Sequence, residues 1–197
     1  MCSDEGRIVG IDEVGKGCLF GPVFAAVVAL DNTSATYLIN EGLKDSKQLT
    51  KRKIAQLAPL IKTRAQSWGL GQASAKEIDF WGIREATERA MIRALHRLPK
   101  KPNLIFVDGI LPIRGWNAKQ ETLVHGESNC PAIAAASVIA KEARDALIKR
   151  LSKKYPQYGL ESHVGYGTKF HRDSIKLFGP TKLHRNSFLS KLLLENK

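Results

Sequence analysis

The sequence predicts an α/β fold, a mixed β-sheet flanked by helices on both faces and followed by a helical C-terminal region. Three observations lead there. Apolar runs of strand length open the chain and then alternate with stretches of helical periodicity. The longest apolar run is the eight residues Val23 to Leu30, the length of a buried strand and far short of a membrane span. No internal repeat, low-complexity tract or linker divides the 197 residues, a length that suits one sizeable core. The expected organisation is a single domain over residues 1–197, in which residues from about 155 to 197 form a basic helical appendage.

Each element has a local reason. Arg7 to Ile11 reads as the end of a buried strand, and Val23 to Leu30 as the strand after it. Gly42 to Lys47 reads as a loop. Thr50 is a good N-cap for a helix through Ile54, Leu57 and Ile61, which Pro59 should shorten or kink. Arg64 to Gln72 predicts a third strand. Ser74-Ala75-Lys76-Glu77 is a capping box that opens a long helix to about Leu98, with Pro99 past its end. Leu104 to Val107 is a short buried strand ending at Asp108-Gly109, and Glu121 to His125 predicts another. Pro131 suits the first turn of a helix to about Lys154, whose Ala134-Ala135-Ala136 run allows close approach to a sheet. Thr168 should cap a further helix, ended by Gly179-Pro180.

Composition narrows the function. The polar, partly acidic N-terminus does not read as a secretory signal. Cys2, Cys18 and Cys130 show no Cys-x-x-Cys spacing, which fits a reduced, cytoplasmic protein better than a disulfide frame. His125 and Cys130 alone lack the further ligands that a zinc site needs, so a surface histidine and a small buried thiol are expected. The formal charge is +12 and uneven: residues 141–197 carry thirteen Lys/Arg against five Asp/Glu, while residues 1–140 carry eighteen against fourteen. A basic C-terminal third beside a part that supplies carboxylates predicts a polyanion held by one region and acted on by the other.

The acids stand in a telling pattern. Asp12 and Glu13 end the first strand, just ahead of the loop Gly15-Lys16-Gly17. Alternation along a strand keeps both from lining one pocket without a local twist. Asp108 ends a second strand, and Glu127 follows a third strand candidate through Gly126. Ligands gather at the carboxyl ends of strands in open α/β sheets, so Asp12 and Asp108 can meet if their strands are neighbours. Carboxylates at three strand ends in a basic protein predict metal-assisted phosphoryl chemistry, with two ions about 4 Å apart activating a water and stabilising the leaving oxygen. Gly10 to Lys16 also has the spacing of a nucleotide-binding P-loop, but Gly17 stands where Ser or Thr must reach magnesium. Asp12 and Glu13 would moreover repel the phosphates such a loop cradles, by roughly 4 kcal/mol per pair of unit charges about 4 Å apart. The P-loop reading fails.

Seven motifs in order resemble those of the type 2 ribonuclease H (ribonuclease HII) family. They are Gly10-Ile11-Asp12-Glu13-Val14-Gly15 with Gly21-Pro22; Lys44-Asp45-Ser46-Lys47-Gln48-Leu49-Thr50; Val107-Asp108-Gly109; and Ala134 to Lys141 ending at Arg144-Asp145. Tyr155 to Gly159, Gly165-Tyr166-Gly167-Thr168 and His184-Arg185-Asn186-Ser187-Phe188 complete the set. The resemblance implies an RNase H-like fold and endonucleolytic cleavage of RNA in RNA–DNA hybrids. It also implies incision 5′ of single ribonucleotides embedded in duplex DNA, leaving 3′-hydroxyl and 5′-phosphate ends, with Mg²⁺ or Mn²⁺ as cofactor. It maps the family's four acids to Asp12, Glu13, Asp108 and Glu127 as catalytic, metal-holding residues. Gly15, Lys16, Gly17, Ser46, Lys47, Tyr166, His184 and Arg185 are then its substrate-binding positions.

The chain departs from the family pattern at three places. Lys16 stands for a usual Arg and loses the bidentate fork. Glu127 stands for a usual Asp and is one methylene longer. Val164 stands for a usual Lys. In this reading Tyr166 stacks on the sugar whose 2′-OH separates RNA from DNA. Ser46 and Lys47 are phosphate contacts or simple helix-entry residues, and Ser137 serves close packing or nucleic-acid contact. Asp145, four residues after Lys141, forms an ordinary helix ion pair. A monomer is expected, and the alternative function is a catalytically inactive, basic nucleic-acid-binding protein on a nuclease fold.

Overall fold

The structure, a computed structural model, describes residues 8–194, with side chains through residue 190. The polar N-terminus with Cys2, and Arg7 of the first expected strand, lie outside the described residues. Five strands form one mixed sheet in the order β3-β2-β1-β4-β5: β1 (Ile8–Val14), β2 (Val23–Ala29), β3 (Ser67–Ala73), β4 (Leu104–Asp108) and β5 (Lys119–Leu123). β1 and β2 pair antiparallel, as do β2 and β3, whereas β1–β4 and β4–β5 are parallel. β1 therefore runs on through both Asp12 and Glu13 rather than ending before them. The last strand ends two residues earlier than expected, because His125 adopts a left-handed conformation (φ +54°) and turns the chain.

Helices cover both faces. α1 (Asn32–Asn40) and α2 (Lys51–Arg64) lie outside α5 (Pro131–Ser152), which packs on β1 and β2. α3 (Ala75–Leu95) covers the other face against β2 and β3. Its capping box is formed between Ser74 and Glu77, and the helix is broken at Gly82. The Ala134-Ala135-Ala136 run is buried against Ala26 and Val28 of β2, as small side chains permit. Close approach also explains Gly10, where a Cβ would fall 2.3 Å from the main-chain nitrogen of Ile133. α2 passes through Pro59 without ending. Pro59 and Ala55 lie on its exposed face, so the carbonyl that loses its ladder partner is open to water. α1, which the sequence pattern did not disclose, starts at the Asp31 cap. It buries only Ser34 and Leu38, too little for a periodic signal.

The short helices α4 (Gly126–Asn129) and α6 (Leu160–His163) flank α5, and α7 (Lys169–Phe178) and α8 (Asn186–Leu194) close the chain. Thr168 caps α7 and Gly179 ends it. These C-terminal elements are laced to the segment after β1. Leu19 N–H donates to Gly165 O (2.8 Å), Gly21 N–H to Leu183 O (2.8 Å) and Arg185 N–H to Leu19 O (2.9 Å). Cys18 bridges Tyr166 and Phe20 bridges His184, over a small core of Phe20, Ile148, Tyr158, Leu160, Ile175 and Leu189.

A chain of neutral histidines holds this region. His171 Nδ1–H donates to Tyr166 O (2.9 Å), so its Nε2 accepts from His184 Nε2–H (3.2 Å). His184 Nδ1 in turn accepts from Thr181 N–H (2.9 Å). His163 stacks on His171 with ring centroids 4.6 Å apart. Burial is the main cause that lowers His171 and His184 to about 4 from an ordinary 6.5. The stabilisation is full above the ordinary value and is lost as pH falls through about 4.

Two outcomes follow from this packing. In an NMR titration both buried imidazoles should stay neutral at pH 6 and titrate near 4, with melting temperature falling across that interval; a midpoint near 6.5 for either ring contradicts the arrangement. Gly10→Ala should destabilise the fold by about 3 kcal/mol in denaturant unfolding, because main chain rather than a mobile side chain blocks the new methyl.

Candidate active site

The parallel register of β1 and β4 sets Ile11 beside Val107, and so Asp12 beside Asp108 at the carboxyl ends of adjacent strands. Ile11 and Val107 point into the core under α3, so Asp12 and Asp108 turn toward α5. Glu13 takes the α3 side, as alternation requires. There it borders a cavity of about 340 Å³ shared with Lys16, Thr87, Met91 and Asp108. Asp12 is buried and accepts from Glu13 N–H (2.6 Å), with Ser137 of α5 close by. Burial, then the charges of Glu13 and Asp108, hold its carboxyl well above the usual range.

The left-handed turn at His125 delivers the third group. Gly126 N–H donates to Asp108 Oδ1 (2.9 Å), which brings Glu127 against Asp108. Burial, the hydrogen bond with Glu127 and its charge raise Asp108 to about 6. Burial alone would raise Glu127 as well. It is outweighed by the hydrogen bond from Asp108, by main-chain N–H and by Lys47, so Glu127 is held below its usual value. Lys47 Nζ stands 3.3 Å from Glu127 Oε1, with the lysine 78% and the glutamate 4% exposed. Ser46 is buried and bonds Ser137, fixing the turn Ser46–Gln48 onto α5, while Asp45 accepts from Lys47 N–H. The Ser46 hydroxyl therefore faces inward, away from any phosphate.

The Gly15-Lys16-Gly17 loop lies beyond Glu13, and Lys16 Nζ is 2.9 Å from Glu13 Oε1. Among the described residues neither Lys16 N–H nor Gly17 N–H has an acceptor, which leaves both free for an anion. Tyr166 faces this loop across the Cys18 bridge with 42% of its surface exposed. His184 and Arg185 sit differently from a substrate contact. Both are buried, Arg185 at 0%, and their side chains bond Thr181, His171, Gly21 and Lys16 from behind. Their side chains support the loops from inside the fold. Asp145 pairs with Lys141 at 2.8 Å, as expected of an i,i+4 pair. Among the described residues His125 and Cys130 join no cluster of three or more potential metal ligands. A larger basic groove of about 790 Å³, lined by Arg93, His96, Arg97 and Arg150, lies at the β3 edge and holds none of these acids.

Sequence reasoning gave no role to Arg144, which it quoted only within a motif, and missed His163 and His171. Arg144 was legible in principle, since it lies seven residues after Ser137 and therefore on the same face of α5. The histidines carry no such signal.

Among the described residues no three His, Cys, Asp or Glu side chains form a ready-made metal cage. The acids instead engage Lys47, Lys16 and main-chain N–H groups. The donor set nevertheless fits a hard divalent cation: every donor is oxygen, Glu127 Oε2 is buried without a partner, and burial with the neighbouring carboxylates raises Asp12 and Asp108, a penalty that a cation would relieve.

The family model for ribonuclease HII matches residues 9–191. This chain belongs to the ribonuclease HII family. It is 60% identical over 185 residues to ribonuclease HII of Prochlorococcus marinus (strain NATL2A), covering 94% of this chain and 95% of that one. It is 58% identical over 192 residues to ribonuclease HII of Synechococcus sp. (strain CC9311), covering 98% of each. Among solved structures it resembles ribonuclease H2 from Pyrococcus horikoshii OT3, with TM-score 0.80, 26% identity and coverage of 96% of this chain and 98% of that chain. It likewise resembles the PCNA:RNase HII complex from Archaeoglobus fulgidus, with TM-score 0.75, 27% identity and coverage of 91% and 93%. The RNase H-like α/β fold expected from the sequence is thus the observed one.

The departures from the usual ribonuclease HII pattern lie at or just behind this site. Glu127, with its extra methylene, still reaches both Asp108 and Lys47. Lys16 pairs with Glu13, and Val164 adopts a left-handed φ of +45°.

If Glu127 belongs to the donor set, Glu127→Gln should cut cleavage strongly, and more so at low metal, because a charged oxygen donor is lost. Asp145→Asn should leave activity largely intact and cost only about 0.5 kcal/mol of stability. Cleavage by both variants across a Mn²⁺ titration checks this, and an inactive Asp145→Asn beside an active Glu127→Gln overturns it.

Proposed function

We propose that this protein is a metal-dependent endoribonuclease that cleaves the RNA strand of RNA–DNA hybrids and incises 5′ of single ribonucleotides embedded in duplex DNA. The observation that carries the reading is the pairing of Asp12 and Asp108 at adjacent strand ends, with Glu127 folded onto Asp108, in a chain of this family. The inactive-binder alternative is disfavoured because acids stand at all four positions.

Asp12, Glu13, Asp108 and Glu127 would hold Mg²⁺ or Mn²⁺, two ions in our reading; a structural relative, Bst-RNase HIII, has been solved in complex with Mn²⁺. Bound there, the cations supply Lewis-acid charge for the attacking water and the leaving 3′ oxygen. The chain's own residues do the rest. Burial of Asp12 and Glu127 excludes bulk water and strengthens their charge interactions. The free N–H groups of Lys16 and Gly17, with the Lys16 ammonium, receive a phosphate, and Lys47 offers a second cation at the rim. The exposed ring of Tyr166 stacks on the ribose, where the 2′-OH marks RNA. Hydrolysis leaves 3′-hydroxyl and 5′-phosphate ends.

The same reading makes the protein a monomer of one domain in the cytoplasm, acting in ribonucleotide excision repair. Two free cysteines, Cys18 and Cys130, support a reducing compartment. Hydrogen bonds from Leu183–Arg185 to residues 19–21 support one domain. No helix among the described residues is long and apolar enough to cross a membrane.

Duplex DNA with one ribonucleotide, incubated with and without Mg²⁺ or Mn²⁺, should be nicked only with metal and only 5′ of the ribonucleotide. Asp108→Asn should lower turnover at least about 10²-fold while duplex binding is kept or tightened, since a repulsive charge is lost. Tyr166→Ala should depress incision at a single ribonucleotide more than cleavage of a long hybrid; equal losses count against its reading the ribose. Lys16→Arg should be tolerated or mildly beneficial, because it supplies a bidentate fork.

A further inference from the structure

Behind the two substrate loops lie two buried cations that have no ion-pair partner among the described residues. Arg144 and Arg185 are each 0% exposed. Their donors go to main-chain carbonyls. Arg144 donates from Nε to Pro22 O (3.1 Å), from Nη1 to Val164 O (2.9 Å) and from Nη2 to Phe20 O (3.1 Å). Arg185 donates from Nε to Gly21 O (3.0 Å) and from Nη1 to Lys16 O (2.7 Å), and its Nη2 has no partner. A buried charge without a direct ion-pair partner is costly, and packing alone would be served as well by an apolar side chain of similar size.

The geometry around Arg144 joins two loops. A Cβ on Gly15 (φ +88°) would fall 2.2 Å from Arg144 Nε, and one on Gly165 (φ +90°) would fall 3.4 Å from Nη2 and 2.8 Å from Phe20 O. The guanidinium thus occupies the space between the glycine that opens the Gly15–Gly17 loop and the glycine before Tyr166. It also fixes Val164, whose φ of +45° is an outlier for a β-branched residue and persists only where the surroundings over-determine it. Arg185 acts on the same loop from the other side. A trans peptide sets C=O and N–H in opposite directions, so drawing Lys16 O inward turns Gly17 N–H outward.

We propose that Arg144, with Arg185 as its companion, is a positioning residue that sets the spacing between the Gly15–Gly17 loop and Tyr166, and thereby the preference for a ribonucleotide embedded in DNA over a continuous hybrid. Neither side chain touches substrate. This inference rests on the functional reading above, because the ribose must lie between these two loops. A continuous hybrid offers many registers in which some ribose meets the loops. A single ribonucleotide offers one, so a shift in spacing weighs more on it.

Arg144→Lys tests this, since one ammonium keeps the charge but cannot span three carbonyls. The ratio of kcat/KM for a single embedded ribonucleotide to that for a hybrid should fall by about tenfold or more, while the Mn²⁺ dependence of hybrid cleavage stays unchanged. Should that variant fail to fold, Gly15→Ala carries the same test, because its methyl pushes the intact guanidinium off its carbonyls; it should lower the same ratio. A wild-type ratio in a folded Arg144→Lys, or equal losses on both substrates, overturns the proposal alone. Wild-type protein that cleaves neither substrate with metal overturns the functional reading and this inference with it.

Discussion

The parallel pairing of β1 with β4 is the constraint on which the site depends. It sets two carboxylates side by side at strand ends, where their charges oppose each other and burial denies them water. Everything around them answers that problem. Main-chain N–H groups bind the oxygens of Asp12 and Asp108, the turn at His125 brings Glu127 against Asp108, and Lys47 and Lys16 stand over the rim. Carboxylates so gathered repel one another, and a cation bound among them, as proposed, would relieve that repulsion.

The second half of the site is built from main chain. The loop after β1 and the loop around Tyr166 come from opposite ends of the sequence, and both need conformations that side chains resist. Short bridges at Cys18 and Phe20 align them, two buried guanidinium groups fill the space behind them, and neutral histidines fix the Tyr166 carbonyl. In the proposed function the acids hold cations and the loops read sugar, as separate parts on one sheet end.

Much of this was legible because it is local. Caps at Thr50, Ser74 and Thr168, the buried run of β2 and the small residues of α5 each act within a few positions, and each element formed where those signals stand. The acids were legible because strand-end carboxylates are rare enough to be noticed. α1 was not, since it is polar and buries little. The inward roles of Ser46, His184 and Arg185 were not either, because a motif marks a position and leaves open which way its side chain points.

The sequence by itself determined the class of fold, the order of most elements, the family and the acids on which the proposed chemistry rests. Only the tertiary structure decided that Asp12 and Asp108 lie abreast, that Glu127 and Asp145 part company, and that Arg144 and Arg185 sit behind the loops rather than on the substrate. The reason is range. Periodicity and capping are fixed by neighbours a few residues apart. Strand order, and the meeting of residue 16 with residue 185, are set by burial of the whole sheet, which no local pattern encodes.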